Sequence, residues 1–279
     1  MPQSLNTRFS TALRYALLLV AAGLFLIPFY LLVRNAFMTD AQITGPHWLW
    51  LSASPHGETF TKLFHEPSAP ILSGLWNSTV IAAITLVLQM LISSMAGYAL
   101  ARIPSRSRNA VFAVIVATLM IPGAVSFVPT FAVMAYLGGV NTRWGIIAPG
   151  LFSAFSIFLF RQFYLRFPTE IEEAGRLDGL GYFGIYRHLL LPNSTGILAA
   201  LGALTFIGSW NSFLWPLMIG QDPSAWTVQV VLSTFLTAQT INLSELFAAA
   251  IVAVLPLVAL FLVLQRYIVE GTAFSGGKE

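Results

Sequence analysis

Long uncharged runs of apolar residues alternate with short polar segments along most of the chain. A run of about 20 apolar residues is long enough to cross the hydrocarbon core of a bilayer as an α-helix. Six such runs predict an all-α membrane protein with six transmembrane helices. The predicted spans are 15–33, 75–101, 110–136, 145–164, 196–218 and 246–265.

Proline lies inside several of these runs, among them the first and the third. Pro28 lies inside the first span, and Pro122, Gly123 and Pro129 lie inside the third. Proline removes a helical hydrogen bond and kinks a helix, which neighbouring helices in a membrane bundle tolerate. The break in the third span is explained either by packing or by a hinge or pathway wall, and the sequence leaves both open.

Two stretches between the spans are too polar to face lipid. Residues 35–73 are mixed in character, with Trp48 and Trp50 at positions suited to interfacial aromatic side chains. Residues 223–244 are uncharged but rich in Ser, Thr, Gln and Asn. We interpret this second stretch as an external loop with an amphipathic segment near 226–236, and a seventh span there is the alternative.

Composition supports a membrane protein. Of the 279 residues, 57% are hydrophobic and only 9% are charged, whereas a soluble domain carries roughly 25% charged residues. The chain has no cysteine, which excludes disulfides, thiolate catalysis and cysteine-based zinc sites. Its basic residues are scattered between apolar runs, so the sequence gives no sign of a nucleic-acid partner.

The basic residues also select an orientation. Six spans place both chain ends on one side of the membrane. If that side is the cytoplasm, all of the 14 Lys and Arg residues except Arg34, Lys62 and Arg143 are cytoplasmic, as the positive-inside tendency requires. This orientation predicts cytoplasmic tails at 1–14 and 269–279 around a membrane domain at 15–268.

The segment 165–192 is the most polar part of the second half and is cytoplasmic in this orientation. Thr169 followed by Glu172 matches a capping box at a helix start. Gly179 and Gly181 are placed to supply a left-handed stop and a turn. A second short helix is expected over 182–190, so the segment predicts helix, glycine turn, helix.

An apolar stripe at helical spacing follows both predicted helices. The stripe either packs on the chain's own helices or docks another protein. Small residues allow the close approach of a second surface, and Ala174, Gly175 and Gly179 therefore favour docking. The stripe comprises Ile171, Ala174, Leu177, Leu180, Phe183, Ile185, Tyr186 and Leu189.

Residues 173–192, EAGRLDGLGYFGIYRHLLLP, resemble the EAA signature of ABC importer permease subunits, E-A-A-x3-G-x9-I-x-L-P. Gly175 replaces the second Ala, and Leu189 replaces Ile. The segments 160–163, 210–217 and 265–271 look like the MalG-type branch, which serves carbohydrate importers. Phe274 and Ser275 depart from the branch's usual ending, which leaves any contact between the tail and the ATPase uncertain.

The resemblance implies a function and a set of partners. The chain would be one permease subunit of a bacterial or archaeal inner-membrane importer, paired with a second homologous permease and served by an extracytoplasmic solute-binding protein. Two cytoplasmic ATPase subunits would bind ATP-Mg, and the chain itself would bind no cofactor. The residues expected to couple to the ATPase are Glu172, Glu173, Ala174, Gly175, Asp178, Gly179, Leu189 and Pro192.

Polar residues inside the spans are candidates for lining the pathway. Gln89 and Asn211 have large polar side chains that are difficult to bury, whereas Ser93 is better explained as a contact between helices. Trp210 and Trp215 could stack on a sugar ring or could mark the membrane interface. A partner permease that holds most of the substrate contacts would weaken each of these candidates.

Other functional classes receive less support from the sequence. No Gly-x4-Gly-Lys-Ser/Thr phosphate loop and no HExxH pair is present, and no metal site or catalytic residue is predicted. A membrane enzyme would need acid and base residues within the spans. A self-contained secondary transporter or channel would need buried charges or an inverted repeat. The predicted spans contain no Asp or Glu.

Overall fold

The computed structural model describes residues 5–52, 54–66, 68–237 and 241–276, and most of these fold into helices. The α-helices are α1 (Leu5–Ala36), α2 (Asp40–Thr44), α3 (Glu58–His65), α4 (Ile71–Arg102), α5 (Arg108–Thr118), α6 (Gly123–Tyr136), α7 (Arg143–Ile147), α8 (Ala154–Leu165), α9 (Thr169–Leu177), α10 (Tyr182–Ile185), α11 (Thr195–Trp210), α12 (Leu214–Ile219), α13 (Val228–Thr234) and α14 (Leu243–Gly276). Short turns of 3-10 helix follow α7 and precede α11 and α13, and a π-helical turn follows α10.

Three helices are long and apolar enough to cross a membrane alone: Leu13–Ala36 within α1, Ile71–Arg102, and Leu243–Gln265 within α14. Three bent pairs of helices have the same character, which gives up to six candidate spans in the described part of the chain if each pair is one span. The predicted all-α membrane fold is therefore confirmed, with three to six candidate spans where six were predicted. Residues 1–4 and 277–279 of the two predicted tails lie outside the described residues.

The bends are larger and more numerous than the sequence predicted. The third span is broken between α5 and α6 by 99°, far more than a proline kink, with Pro122 directly before α6. The fourth span turns by 45° between Gly150 and Ala154, where no bend was predicted. There the Ser153 hydroxyl accepts a hydrogen bond from the backbone N–H of Ser156 and caps α8.

The predicted fifth span, 196–218, is wrong in its extent. The helix α11 ends at Trp210, and α12 begins at Leu214. Pro216 has no N–H for the carbonyl of Ser212, so a continuous helix would lose a hydrogen bond there. The candidate span instead pairs Pro192–Trp210 with the preceding Tyr182–Leu190, at a bend of 47°.

In the described part of the predicted external loop 223–244, the one α-helix before α14 is α13, which lies within the predicted amphipathic segment 226–236. Three valines of α13 are buried, namely Val228, Val230 and Val231. The final helix begins earlier than predicted, at Leu243, and Glu245 lies in its first turn. The prediction that the spans contain no acidic residue is therefore wrong at this end.

The chain forms two compact units, of which the first comprises 1–69 and 232–254. In this unit the Asp40 carboxylate accepts hydrogen bonds from the backbone N–H of Leu243 at 3.2 Å and of Ser244 at 2.8 Å. An acidic side chain at a helix N-terminus satisfies free donors and complements the helix dipole. The Arg34 guanidinium lies over the Trp48 ring, 4.1 Å from its centroid.

The second unit comprises 70–231 and 255–279. Its core forms where α4 packs against α8 and α11. Phe160 and Tyr164 of α8 are fully buried there beside Tyr98 of α4. Gly97 lets the backbones of α4 and α8 come close together, because a β-carbon on it would lie 2.6 Å from Phe160 Cβ.

Candidate transport cleft and coupling loop

A cleft of about 500 Å³ opens in the second unit between α4, α8, α11 and α12. Its polar side chains are hydroxyls, one amide and one indole, and no lining side chain is charged. The break between α11 and α12 contributes Ser212, and the break before α8 contributes Ser153. The lining residues are Thr85, Gln89, Ile146, Pro149, Gly150, Ser153, Phe155, Ser156, Leu201, Leu204, Thr205, Gly208, Ser209, Ser212 and Trp215.

Hydrogen bonds hold the polar side of the cleft in place. The Gln89 amide donates from Nε2 to Ser156 Oγ at 3.3 Å, and Ser153 Oγ donates to the same oxygen at 3.0 Å. Trp215 donates from Nε1 to the carbonyl of Gly145 at 3.2 Å, which fixes the indole plane. Side chains held in this way offer a hydroxylated ligand defined partners.

Of the four predicted pathway residues, one lines the cleft and three do not. Gln89 lines the cleft. Ser93 is fully buried among the helices and is absent from the lining. Trp210 is 1% exposed and stacks on Phe206 with 5.6 Å between ring centroids. Asn211 is exposed and accepts a hydrogen bond from Gln229.

Sequence reasoning missed the hydroxyls of Ser153 and Ser156. A signal for them exists in retrospect, since both serines lie beside Pro149 and Gly150, where a helix of 145–164 is weakened. Of the two tryptophans considered, Trp215 lines the cleft and Trp210 does not.

The coupling loop, residues 165–192, begins with α9. Its N-cap is Pro168, and no side chain caps this end, so the predicted capping box between Thr169 and Glu172 is wrong. The Glu172 carboxylate instead pairs with Arg102, the last residue of α4, with 2.9 Å between Oε1 and Nε. Burial raises the pKa of Glu172, although Arg102 and Arg176 act to lower it.

The glycine turn follows the prediction at Gly179. Gly179 has a φ of +83°, in the left-handed region, and Leu180 N–H donates to the carbonyl of Gly175 at 2.9 Å. Gly181 has extended backbone and precedes α10. The second predicted helix over 182–190 is present as α10 and the π-helical turn Tyr186–Leu190.

The predicted apolar stripe is split between two surfaces. Leu177 is 91% exposed and Phe183 is 63% exposed, whereas Ile185 and Tyr186 are buried against the chain's own helices. Gly175 also faces inward, because a β-carbon there would lie 2.6 Å from Leu189 Cδ1. Packing on the chain's own helices therefore holds for the buried part of the stripe, and Gly175 gives room to the chain itself instead of to a second protein. Docking stays a prediction for the exposed part.

Five of the eight predicted coupling residues lie on the outside of the loop. Glu172 is buried, so its carboxylate is directed to α4 and not to a second protein. The exposed members are Glu173, Ala174, Asp178, Gly179 and Pro192. The exposed part of the loop thus combines two carboxylates, a glycine turn that no side chain covers, and two large apolar side chains.

Comparison with known proteins agrees with this architecture. Residues 89–273 match the family described as binding-protein-dependent transport system inner membrane component. The chain is 32% identical to the lactose transport system permease protein LacG of Rhizobium radiobacter, over 97% of this chain and 98% of that protein. It is 33% identical to the sn-glycerol-3-phosphate transport system permease protein UgpE of Yersinia enterocolitica, over 94% of this chain and 95% of that protein.

Solved structures have the same fold. A chain of a bacterial ABC transporter involved in the import of the acidic polysaccharide alginate superposes with a TM-score of 0.82 at 20% identity, over 95% of this chain and 98% of that chain. The family match covers the coupling loop and all of the cleft lining except Thr85. The chain belongs to the family of binding-protein-dependent transport system inner membrane components, the permease subunits of ABC importers.

Proposed function

We propose that the chain forms half of the translocation pathway of an ATP-driven carbohydrate importer and couples that pathway to cytoplasmic ATPases. The named relatives are permeases for lactose, arabinooligosaccharides and sn-glycerol-3-phosphate. The single observation that carries the proposal is the outward side of the coupling loop. Leu177, next to the Gly179 turn, is 91% exposed. Exposure of so large an apolar side chain to water is unfavourable and is typical of a surface that binds another protein.

The outward side fits a soluble partner. Leu177 and Phe183 would enter an apolar cleft on the ATPase, while Glu173 would meet a basic residue at its rim. Large apolar anchors surrounded by polar residues are typical of energetically important interface positions. ATP-driven closure of two ATPase subunits would then move the loop as a rigid body and switch the pathway from inward-facing to outward-facing. The chain itself would bind no cofactor, and ATP-Mg would be held by the ATPases.

The cleft fits an uncharged carbohydrate better than a phosphorylated one. Its hydroxyls and the Gln89 amide both donate and accept hydrogen bonds, as sugar hydroxyls do. A phosphate would be expected to meet Arg or Lys, and the lining of this cleft contains neither. The indole of Trp215 offers an apolar surface for a sugar ring.

The remaining parts follow from the family. A second homologous permease would complete the pathway, and an extracytoplasmic binding protein would deliver the substrate. One related alginate transporter was solved in complex with a periplasmic protein bound to an alginate pentasaccharide. In the bacterial or archaeal inner membrane, with both termini cytoplasmic, the coupling loop and the ATPases lie on the same side.

Reconstitution tests the proposal. The complete complex in proteoliposomes is supplied with ATP inside and with labelled lactose, arabinooligosaccharide or glycerol 3-phosphate outside. ATP-dependent uptake of a neutral sugar is expected, and uptake without the ATPase would instead favour a self-contained transporter or channel. Leu177→Asp should release the ATPase during purification, whereas Leu51→Asp, at a residue that is 74% exposed outside the loop, should not.

A further inference from the structure

Three residues of α4, spaced four apart, contact the coupling loop through their side chains. The hydroxyl of Ser94 lies 2.8 Å from the hydroxyl of Tyr186, and Tyr98 donates to the carbonyl of Tyr182 at 3.0 Å. Arg102 is the third residue of this row. Since residues four apart share one face of a helix, the end of α4 presents a continuous row of contacts to the loop.

The contact at Arg102 is the charged one. Its Nε lies 2.9 Å from Glu172 Oε1, and the two side chains are only 13% and 5% exposed. The guanidinium also donates to the carbonyl of Phe167, just before α9. Charges so little exposed to water interact more strongly than a surface pair, and removal of one partner leaves the other charge buried and unpaired.

The same helix reaches the cleft without a break. Gln89 and Thr85 line the cleft, and Arg102 lies about 20 Å further along α4 at 1.5 Å per residue. The third, fourth and fifth spans are each bent by more than 40°, whereas α4 contains no proline and is one helix of 32 residues. An unbroken helix transmits a displacement at one end to the other, because its backbone hydrogen bonds resist bending.

We propose that α4 carries the motion of the coupling loop to the cleft, and that the Arg102–Glu172 pair is the link between them. This inference rests on the proposed function. Two adjacent carboxylates then have different roles: Glu172 holds α9 to α4, and Glu173 contacts the ATPase. If the link holds, α9 and α4 move as one body when the ATPases close.

A distance measurement in the complete complex tests this directly. The chain has no cysteine, so nitroxide labels can be attached at Glu170→Cys on α9 and Met95→Cys on α4, both exposed positions. Pulsed electron paramagnetic resonance then gives the distance in proteoliposomes without nucleotide and with bound ATP. The expected result is one narrow distribution that is the same in both states.

Variants of the pair supply the comparison. Arg102→Ala and Glu172→Gln should broaden the distribution and lower uptake per ATP hydrolysed by about tenfold, within the usual range for coupling between sites. Arg102→Lys keeps the charge and should restore most of both. Arg106→Ala, at an exposed arginine four residues beyond the end of α4, should change neither. Glu173→Gln should weaken retention of the ATPase while it leaves the distance unchanged.

Two results would overturn the inference. One is a wild-type distance that shifts between nucleotide states, which means that α9 moves without α4. The other is an unchanged distribution in Arg102→Ala and Glu172→Gln complexes that elute as intact assemblies. Failure of the proposed function would give a different result, because the wild-type complex would then take up none of the sugars. The distances measured with and without the Arg102–Glu172 pair could still be compared in that case.

Discussion

A β-carbon on Gly97 would lie 2.6 Å from the β-carbon of Phe160, closer than two such atoms can approach. It would also lie 2.9 Å from the backbone nitrogen of Arg161, so the obstacle includes main chain that cannot rotate away. The helix that reaches from the cleft to the coupling loop is therefore seated on α8 through a glycine. Small residues at helix contacts in membranes allow this kind of close packing.

Gly97→Ala should therefore destabilise the protein although alanine is the better helix former. Overpacking a tight contact costs about 1–3 kcal/mol, which exceeds the gain of roughly 1 kcal/mol in helix propensity. Thermal unfolding of the purified complex in detergent measures the balance. Gly23→Ala is the matched control, because a β-carbon on Gly23 meets nothing within 4 Å. Equal melting temperatures for the two variants would contradict the prediction.

Gln89 and Ser93 lie one turn apart on α4 and should respond differently to truncation. Gln89→Leu removes hydrogen-bonding capacity from the cleft and should raise the KM for sugar uptake, by roughly tenfold if ~1.4 kcal/mol of binding is lost. Ser93 is buried, and its hydroxyl has no hydrogen-bond partner among the described residues. Ser93→Ala should leave the KM unchanged, because removal of an unsatisfied buried hydroxyl costs little. If Ser93→Ala raised the KM and Gln89→Leu did not, the pathway would lie on another face of α4.

The left-handed turn at Gly179 predicts which substitutions the coupling loop accepts. Its φ of +83° strains any other residue, and valine more than asparagine, since asparagine tolerates left-handed backbone. Gly179→Val should weaken ATPase retention strongly, and Gly179→Asn should do so only mildly. A β-carbon meets nothing within 4 Å inside the chain, so equal losses for both variants would indicate that the partner, and not backbone strain, excludes the side chain.

Coupling should weaken at acidic pH through Glu172. Burial raises the pKa of this carboxyl above its ordinary value, against the opposing effect of Arg102 on α4 and Arg176 on α9. The folded chain binds this proton more readily than the unfolded chain, so protonation does not by itself oppose folding. As pH falls through the raised pKa, Glu172 loses its negative charge, and the ion pair with Arg102 is lost.

The measurement is ATP hydrolysis by the complex, with and without binding protein, as a function of pH. In the wild-type complex, the stimulation of ATP hydrolysis by binding protein should fall on acidification. In the Glu172→Gln complex, this stimulation should be low at every pH and should show no such fall. Identical profiles for the two proteins would assign the transition to another group.

The pattern of apolar residues was sufficient for the fold because lipid requires long apolar helices whatever their packing. It was not sufficient for the breaks. Pro122 predicted a kink and the chain turns by 99°, since a proline weakens a helix but only the neighbouring helices decide how far it bends. Local motifs predicted the helix, the glycine turn and the second helix of 165–192. Glu172, however, fits a capping box equally well, and its carboxylate pairs instead with Arg102, which lies 70 positions earlier in the chain. Such a distant pairing leaves no local signal.

The surroundings of Trp210 and Trp215 likewise depend on contacts that the local sequence does not reveal. Both occur in one short aromatic segment, but the break after α11 turns them to different surroundings: Trp210 is buried against Phe206, and Trp215 lines the cleft. Trp210→Ala should lower the melting temperature, because loss of a buried aromatic costs about 3–5 kcal/mol. Trp215→Phe keeps a ring for stacking but loses the hydrogen bond to the Gly145 carbonyl, so it should raise the KM for sugar while the melting temperature changes little. Uptake kinetics and thermal unfolding of the same two preparations test both halves, and a KM effect confined to Trp210 would place the substrate outside this cleft.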